Sequence, residues 1–137
     1  MSDSRPNILF LMTDEQRFDN VGYANAAVQT PNLDALAADS VVFTRAYTSN
    51  PSCIPARAGI YTGKYPSQCG APTFVTYLPA TETTFMTRLR DAGYHTAVVG
   101  KQHFAVTDIE RGYDHEEIID CHGPGGRISA ETARNSY

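Results

Sequence analysis

Apolar and polar positions alternate in blocks along the chain. Asn7 to Thr13, NILFLMT, is a continuous apolar run that ends in the polar cluster Asp14-Glu15-Gln16-Arg17. A run apolar on both faces predicts a central strand in a sheet covered by helices. A loop follows from Phe18 to Gln29. Thr30-Pro31 then predicts a helix to about Ala38, with Thr30 as cap, Pro31 at the first helical position and Leu33, Leu36 and Ala37 on one face. Val41-Val42-Phe43 reads as a short strand. Asn50-Pro51-Ser52 is a turn signal, and Pro55 predicts a second helix running to Tyr61 and stopping at Gly63. Residues 64–82 are loop-like, with three prolines. Thr83 or Thr84 caps a third helix from Phe85 to Ala92, closed by Gly93, and Tyr94 to Val99 is the next strand. The tail from Gly123 has little core-forming content. Helix and strand alternate, so the fold class is α/β.

In such sheets ligands gather beyond the C-terminal ends of strands, and three polar clusters fall at those places. Asp14-Glu15 follows the first strand, Cys53 lies at a helix start, and Lys101 and His103 follow the later strand. Pro55 at a helix start would put Cys53 beside the positive end of the helix dipole, with Arg57 one turn on, at i+4. A thiolate or a bound anion would gain from both. The spacing alone leaves open a small buried cysteine near a cap, with Arg57 on the surface. Asp14 and Glu15 supply the hard oxygens that suit Ca²⁺ or Mg²⁺, and two carboxylates do not complete a shell of about six oxygens or more. Taken alone, the pair reads first as a solvated acidic turn. Lys101 and His103 could hold an oxyanion and move a proton, or form an ordinary strand exit. His95, His115 and His122 have no ligand spacing and read as structural or surface residues.

Bulk properties narrow the classes. The chain has 137 residues, 42% of them hydrophobic and 19% charged, which suits a folded domain with a core. The net charge of −4 and the scattered 11 basic residues argue against a nucleic-acid or anionic-membrane partner. No apolar stretch reaches the roughly 20 residues of a membrane span, and the first apolar run lacks the flanks of a signal peptide. A cytoplasmic location is the expectation. Three cysteines, Cys53, Cys69 and Cys121, then read as free thiols.

Taken together, these motifs resemble the sulfatase family. Its activation motif, Cys-x-Pro-x-Arg before a short helix and Thr-Gly, is matched by Cys53-Ile54-Pro55-Ala56-Arg57 and then Thr62-Gly63. Its Gly-Tyr-x-Thr motif before a strand ending in Gly-Lys and a nearby His is matched from Gly93-Tyr94-His95-Thr96 to Gly100-Lys101-Gln102-His103. Pro6-Asn7 through Asp14-Glu15, Thr30-Pro31-Asn32-Leu33-Asp34 and Arg111-Gly112-Tyr113-Asp114 are also similar, in the family's order over roughly residues 5–120.

The resemblance implies an alkaline-phosphatase-like sheet, mixed or mostly parallel and flanked by helices. It implies hydrolysis of small sulfate esters by a formylglycine that a separate maturation enzyme makes from Cys53. Arg57 would hold the formylglycine, and Lys101 and His103 would contact sulfate and diol. Asp14, Glu15 and the modified Cys53 would ligate a divalent cation, Ca²⁺ before Mg²⁺ or Mn²⁺. Differences from the family pattern, at Glu15, Ile54 and Gln102, bear on substrate choice. Phosphonate or phosphate ester hydrolysis by the same machinery, and a catalytically dead binding domain, are the alternatives. Family members are several times longer, so residues 1–137 are expected to be the N-terminal part of a catalytic domain, with 123–137 as an irregular tail and no activity in isolation.

Overall fold

The computed structural model describes residues 5–104 and 111–118. The chain divides into two compact units, Met1–Ala46 and Tyr47–Tyr137. Among the described residues no helix is long and apolar enough to cross a membrane.

In the first unit, helix α1 spans Pro31–Ala38, with Pro31 at its start as expected. Thr30 precedes it and does not cap it with its side chain. The Thr30 hydroxyl instead donates to Asp34 Oδ1 at 2.9 Å and accepts from the Gly22 amide at 2.7 Å. Asp34 Oδ1 also accepts from the Tyr23 amide at 2.9 Å. These bonds fasten the preceding loop to the helix and require Gly22, because a Cβ there would lie 2.2 Å from Asp34 Oδ2.

Two expected strands of this unit are not formed. Asn7 to Thr13 and Val41 to Phe43 are irregular, and Leu9 and Leu11 are 82% and 74% exposed. An apolar run becomes a central strand only when other strands flank it and layers cover both faces. The described residues of this unit supply one short helix and no second strand. The face of α1 is likewise uncovered, with Leu36 59% exposed.

The second unit holds the core. Helix α2 spans Cys53–Thr62 and ends at Gly63, whose left-handed φ of 68° returns its N–H to Gly59 O. The expected start at Pro55 is two residues late. A proline anywhere in the first turn costs no hydrogen bond, since those amides have no intrahelical acceptor. Ile54, Pro55, Ala58 and Tyr61 form the buried face of α2. Tyr61 lies between Phe85 at 4.9 Å and Phe104 at 4.4 Å. Ala58, Cys69, Ala71 and Leu78 complete the cluster. Three of these come from the proline-rich loop, which is held by the Leu78 amide donating to Phe104 O at 2.7 Å. The buried Arg111 clamps the same loop, donating to Leu78 O and Pro79 O at 2.5 and 3.0 Å. Burial lowers the Arg111 pKa from its ordinary value.

Helix α3, Phe85–Asp91, is capped by Thr84, whose Oγ1 accepts from the Thr87 amide at 3.2 Å. Gly112, with φ of 85°, passes so close to α3 that a Cβ would sit 2.4 Å from Thr87 Cα. Strand β1 is Ala97–Gly100, within the expected segment. It pairs in parallel with β2, His115–Ile118, in the register Ala97↔His115 to Gly100↔Ile118. The parallel pair agrees with the expected sheet type. Strand β2 has the unpromising sequence HEEI and was not expected.

Asp114 anchors the start of that ladder. Its Oδ2 accepts from the Thr96 amide at 2.7 Å and lies 3.0 Å from Thr96 Oγ1. The Thr96 backbone bond first, and then its side chain, hold the carboxyl below the usual carboxylate range. A depressed carboxylate stabilises the fold above its unfolded pKa, about 3.9, and loses that contribution as pH falls through the lower folded value. In urea titrations across acid pH, Asp114→Asn should therefore flatten the loss of stability below about pH 4. An acid limb identical to that of the unsubstituted protein would contradict this role.

Candidate active site

The NPSC turn is built locally. Ser52 donates its amide to Asn50 Oδ1 at 2.9 Å, and its extended backbone, φ −87° and ψ 144°, forms the N-cap of α2. The Ser52 hydroxyl makes no capping bond. Cys53 is the first helical residue, half-buried, with its own amide and that of Ile54 at the positive end of the helix. The start of α2 thus suits a negatively charged ligand. Cys53 is a free thiol, as is the buried Cys69, whose sulfur lies 3.6 Å from Pro66 O.

Arg57 shares a helix face with Cys53 and is only 5% exposed, which overturns the reading of a surface arginine. Its Nη1 donates to the backbone carbonyl of Lys101 at 2.5 Å. Residues 44 apart in sequence are joined by this bond, and α2 is tied to the end of β1. Two residues at and just after the end of β1 are left-handed, Gly100 at φ 100° and His103 at φ 51°. Histidine at positive φ is held there at a cost of about 1–3 kcal/mol, as is common where side chains are aimed at a ligand. His103 is buried, and the ring of Phe74 meets it edge-on at 5.6 Å. Cys53, Arg57, Lys101 and His103 therefore belong to one unit, and all four come from the two segments that the Arg57 bond joins.

Asp14 and Glu15 lie in the other unit, exposed at a bend, with Glu15 at φ 53°. Their carboxylates suit a hard cation in kind. They do not suffice in number, and no group of three or more His, Cys, Asp or Glu that could hold a metal occurs among the described residues. His95, 3.6 Å from Asp114, and His115, 3.3 Å from Glu117, are exposed, consistent with surface roles. His122 and Cys121, and the tail 123–137, lie outside the described residues.

Two further residues of this unit, Gln102 and Tyr113, bond to each other. Gln102 is buried, and its Oε1 accepts from the Tyr113 hydroxyl at 2.7 Å. Burial first, and then the neighbouring Tyr61, push the Tyr113 phenol far above its usual range, so it remains a donor. Nothing in the spacing of Arg111-Gly112-Tyr113-Asp114 points across 11 residues to Gln102.

Comparison with known proteins accounts for these motifs as a set. The sulfatase family model matches residues 6–128. An uncharacterized sulfatase, YidJ, from Escherichia coli is 46% identical over 101 residues, covering 72% of this chain and 20% of that protein. An ulvan-active sulfatase from Formosa agariphila is 39% identical over 127 residues, 86% of this chain and 25% of that protein. Among solved structures, an enzyme in complex with its substrate D-glucosamine-2-N, 6-O-disulfate superposes with a TM-score of 0.80 at 34% identity, over 87% of this chain and 24% of that one. A phosphonate monoester hydrolase of Agrobacterium radiobacter gives 0.74 at 28% identity, over 86% and 27%. The chain thus spans about a fifth to a quarter of the relatives it matches. Its architecture is the α/β, alkaline-phosphatase-like one of these neighbours. The motifs from Asp14 to Asp114 all lie within the matched residues 6–128, and the chain belongs to the sulfatase family.

Proposed function

We propose that this chain supplies the nucleophile end of a sulfate ester hydrolase, as the N-terminal part of a longer catalytic domain. The observation that carries the proposal is the bond from Arg57 to Lys101 O, which joins the helix of the Cys-x-Pro-x-Arg motif to the Gly-Lys-x-His segment. In this reading a maturation enzyme oxidises Cys53 to formylglycine. Hydrated, that group supplies a diol, one hydroxyl of which attacks sulfur while the other later expels sulfate.

The chain's own residues do the rest. The start of α2 favours negative charge at position 53. Arg57, at i+4, adds a fixed cation to that face while its Nη1 holds the Lys101 carbonyl. Lys101 neutralises charge on the sulfate oxygens, and His103 moves a proton between the diol and the leaving alcohol. Asp14 and Glu15 supply hard carboxylate oxygens of the kind that would help hold a divalent cation, with Ca²⁺ as first choice, and such a cation would polarise sulfate oxygens. Further ligands must complete that shell, so residues 1–137 alone are expected to turn over nothing.

The likeness to a phosphonate monoester hydrolase favours one second reading, hydrolysis of phosphonate or phosphate esters by the same residues. Turnover of an aryl sulfate and of an aryl phosphodiester by the full-length protein separates the two. The expected kcat/KM is at least about tenfold higher for the sulfate. A preference for the phosphodiester would establish the second reading, and turnover of neither would reject both.

A further inference from the structure

The strands β1 and β2 run parallel, so the exit of β1 and the entry of β2 lie at opposite ends of their ladder. Gln102 follows β1 and Tyr113 precedes β2, yet their side chains meet at 2.7 Å. The chain after Gly100 must therefore double back along the sheet. Gly100, the last paired residue of β1, and His103 both have left-handed φ. Between them lie Lys101, whose carbonyl is held by Arg57, and Gln102, whose amide oxygen is held by Tyr113.

Each end of the Gln102 bond is itself fixed. Gln102 is 6% exposed, and its amide nitrogen lies 3.5 Å from Lys101 O. Tyr113 is set between Gly112, pressed against α3, and Asp114, bonded to Thr96. Gln102 is thus the middle residue of a strained bend whose neighbours on both sides are the two polar side chains of the site.

We propose that Gln102 and Tyr113 are a positioning pair: their hydrogen bond holds the bend that orients Lys101 and His103. The assignment of an anion-contacting role to those two side chains rests on the sulfatase reading; the assignment of the bend to the pair does not. Tyr113→Phe removes one oxygen, and Gln102→Met replaces the amide with an apolar chain of similar shape. Both are mild enough to fold. The double variant removes both ends of the Gln102–Tyr113 bond and leaves only the buried Tyr61 hydroxyl without its Tyr113 partner.

The experiment has two arms, both on the full chain. The first reads the φ of His103 by NMR, from its three-bond HN–Hα coupling and Cα shift, beside melting temperatures. His103 is expected to be left-handed in the unsubstituted protein and to leave that region in both single variants. The second arm measures sulfate-ester turnover. It should show kcat lower by about tenfold with KM within about twofold, the scale of one neutral hydrogen bond. The double variant should lose no more than Tyr113→Phe alone, because both lack the Gln102 bond and the Tyr61 contact.

A left-handed His103 retained in both single variants, with only the melting temperature lowered, overturns the proposal. So does a double variant whose losses are the sum of the singles. Absence of turnover in the unsubstituted protein rejects the sulfatase reading and leaves the first arm to decide on the pair.

Discussion

Cys53→Ala in the full-length protein is expected to lower sulfate-ester turnover by about 10⁴-fold or more, the scale of losing a covalent nucleophile. The fold should hardly notice. Cys53 is half-buried at the first position of α2, whereas Ile54, Pro55, Arg57, Ala58 and Tyr61 carry the packing of that helix. Alanine is also the best helix former. A plain structural cysteine makes the opposite forecast, with turnover kept and the melting temperature lowered. Comparing kcat and melting temperature of the variant with those of the unsubstituted protein separates the two, and a variant retaining more than about a tenth of the turnover would remove Cys53 from the chemistry.

The largest expected effect on stability is at Phe104. Its side chain is fully buried, its ring lies 4.4 Å from that of Tyr61, and the Arg111 guanidinium sits 6.0 Å above its centroid. Phe104→Ala should cost about 3–5 kcal/mol, from lost apolar burial and the cavity left behind. The Leu78 amide and Arg111 hold the surrounding loop by backbone bonds, so it cannot collapse freely into the space. Because Phe104 follows His103 directly, the same change should loosen the bend. Urea unfolding measures the loss, and a value under about 1 kcal/mol would mean that the core lies elsewhere.

What could be read from the sequence depended on local punctuation. Pro31, Gly63 and Gly93 mark helix ends through their own backbone limits and Thr84 through its capping hydroxyl, and α1, α2 and α3 lie where these residues place them, within two residues. Strands were less legible because pairing decides them. NILFLMT has the stronger strand pattern and forms none among the described residues. HEEI has a poor one and forms β2, because Asp114 and His115 donate their amides to Thr96 O and bring the chain into register.

The candidate site divides in the same way. Cys53 and Arg57 are one helical turn apart, so their relation was visible in the spacing. The Arg57–Lys101 and Gln102–Tyr113 bonds link residues brought together only by the tertiary fold, and no local pattern announces them. Asp14 and Glu15 were legible as oxygen donors, and the described residues add no third ligand beside them.

The most direct test is mass spectrometry of the peptide containing Cys53, taken from protein produced together with a formylglycine-generating enzyme. A peptide in which Cys53 has lost its sulfur and carries an aldehyde with its hydrate, reactive toward an aldehyde-specific label, is the predicted result. An unmodified thiol at Cys53 under those conditions would contradict the account and leave a domain that keeps the sulfatase fold without its nucleophile.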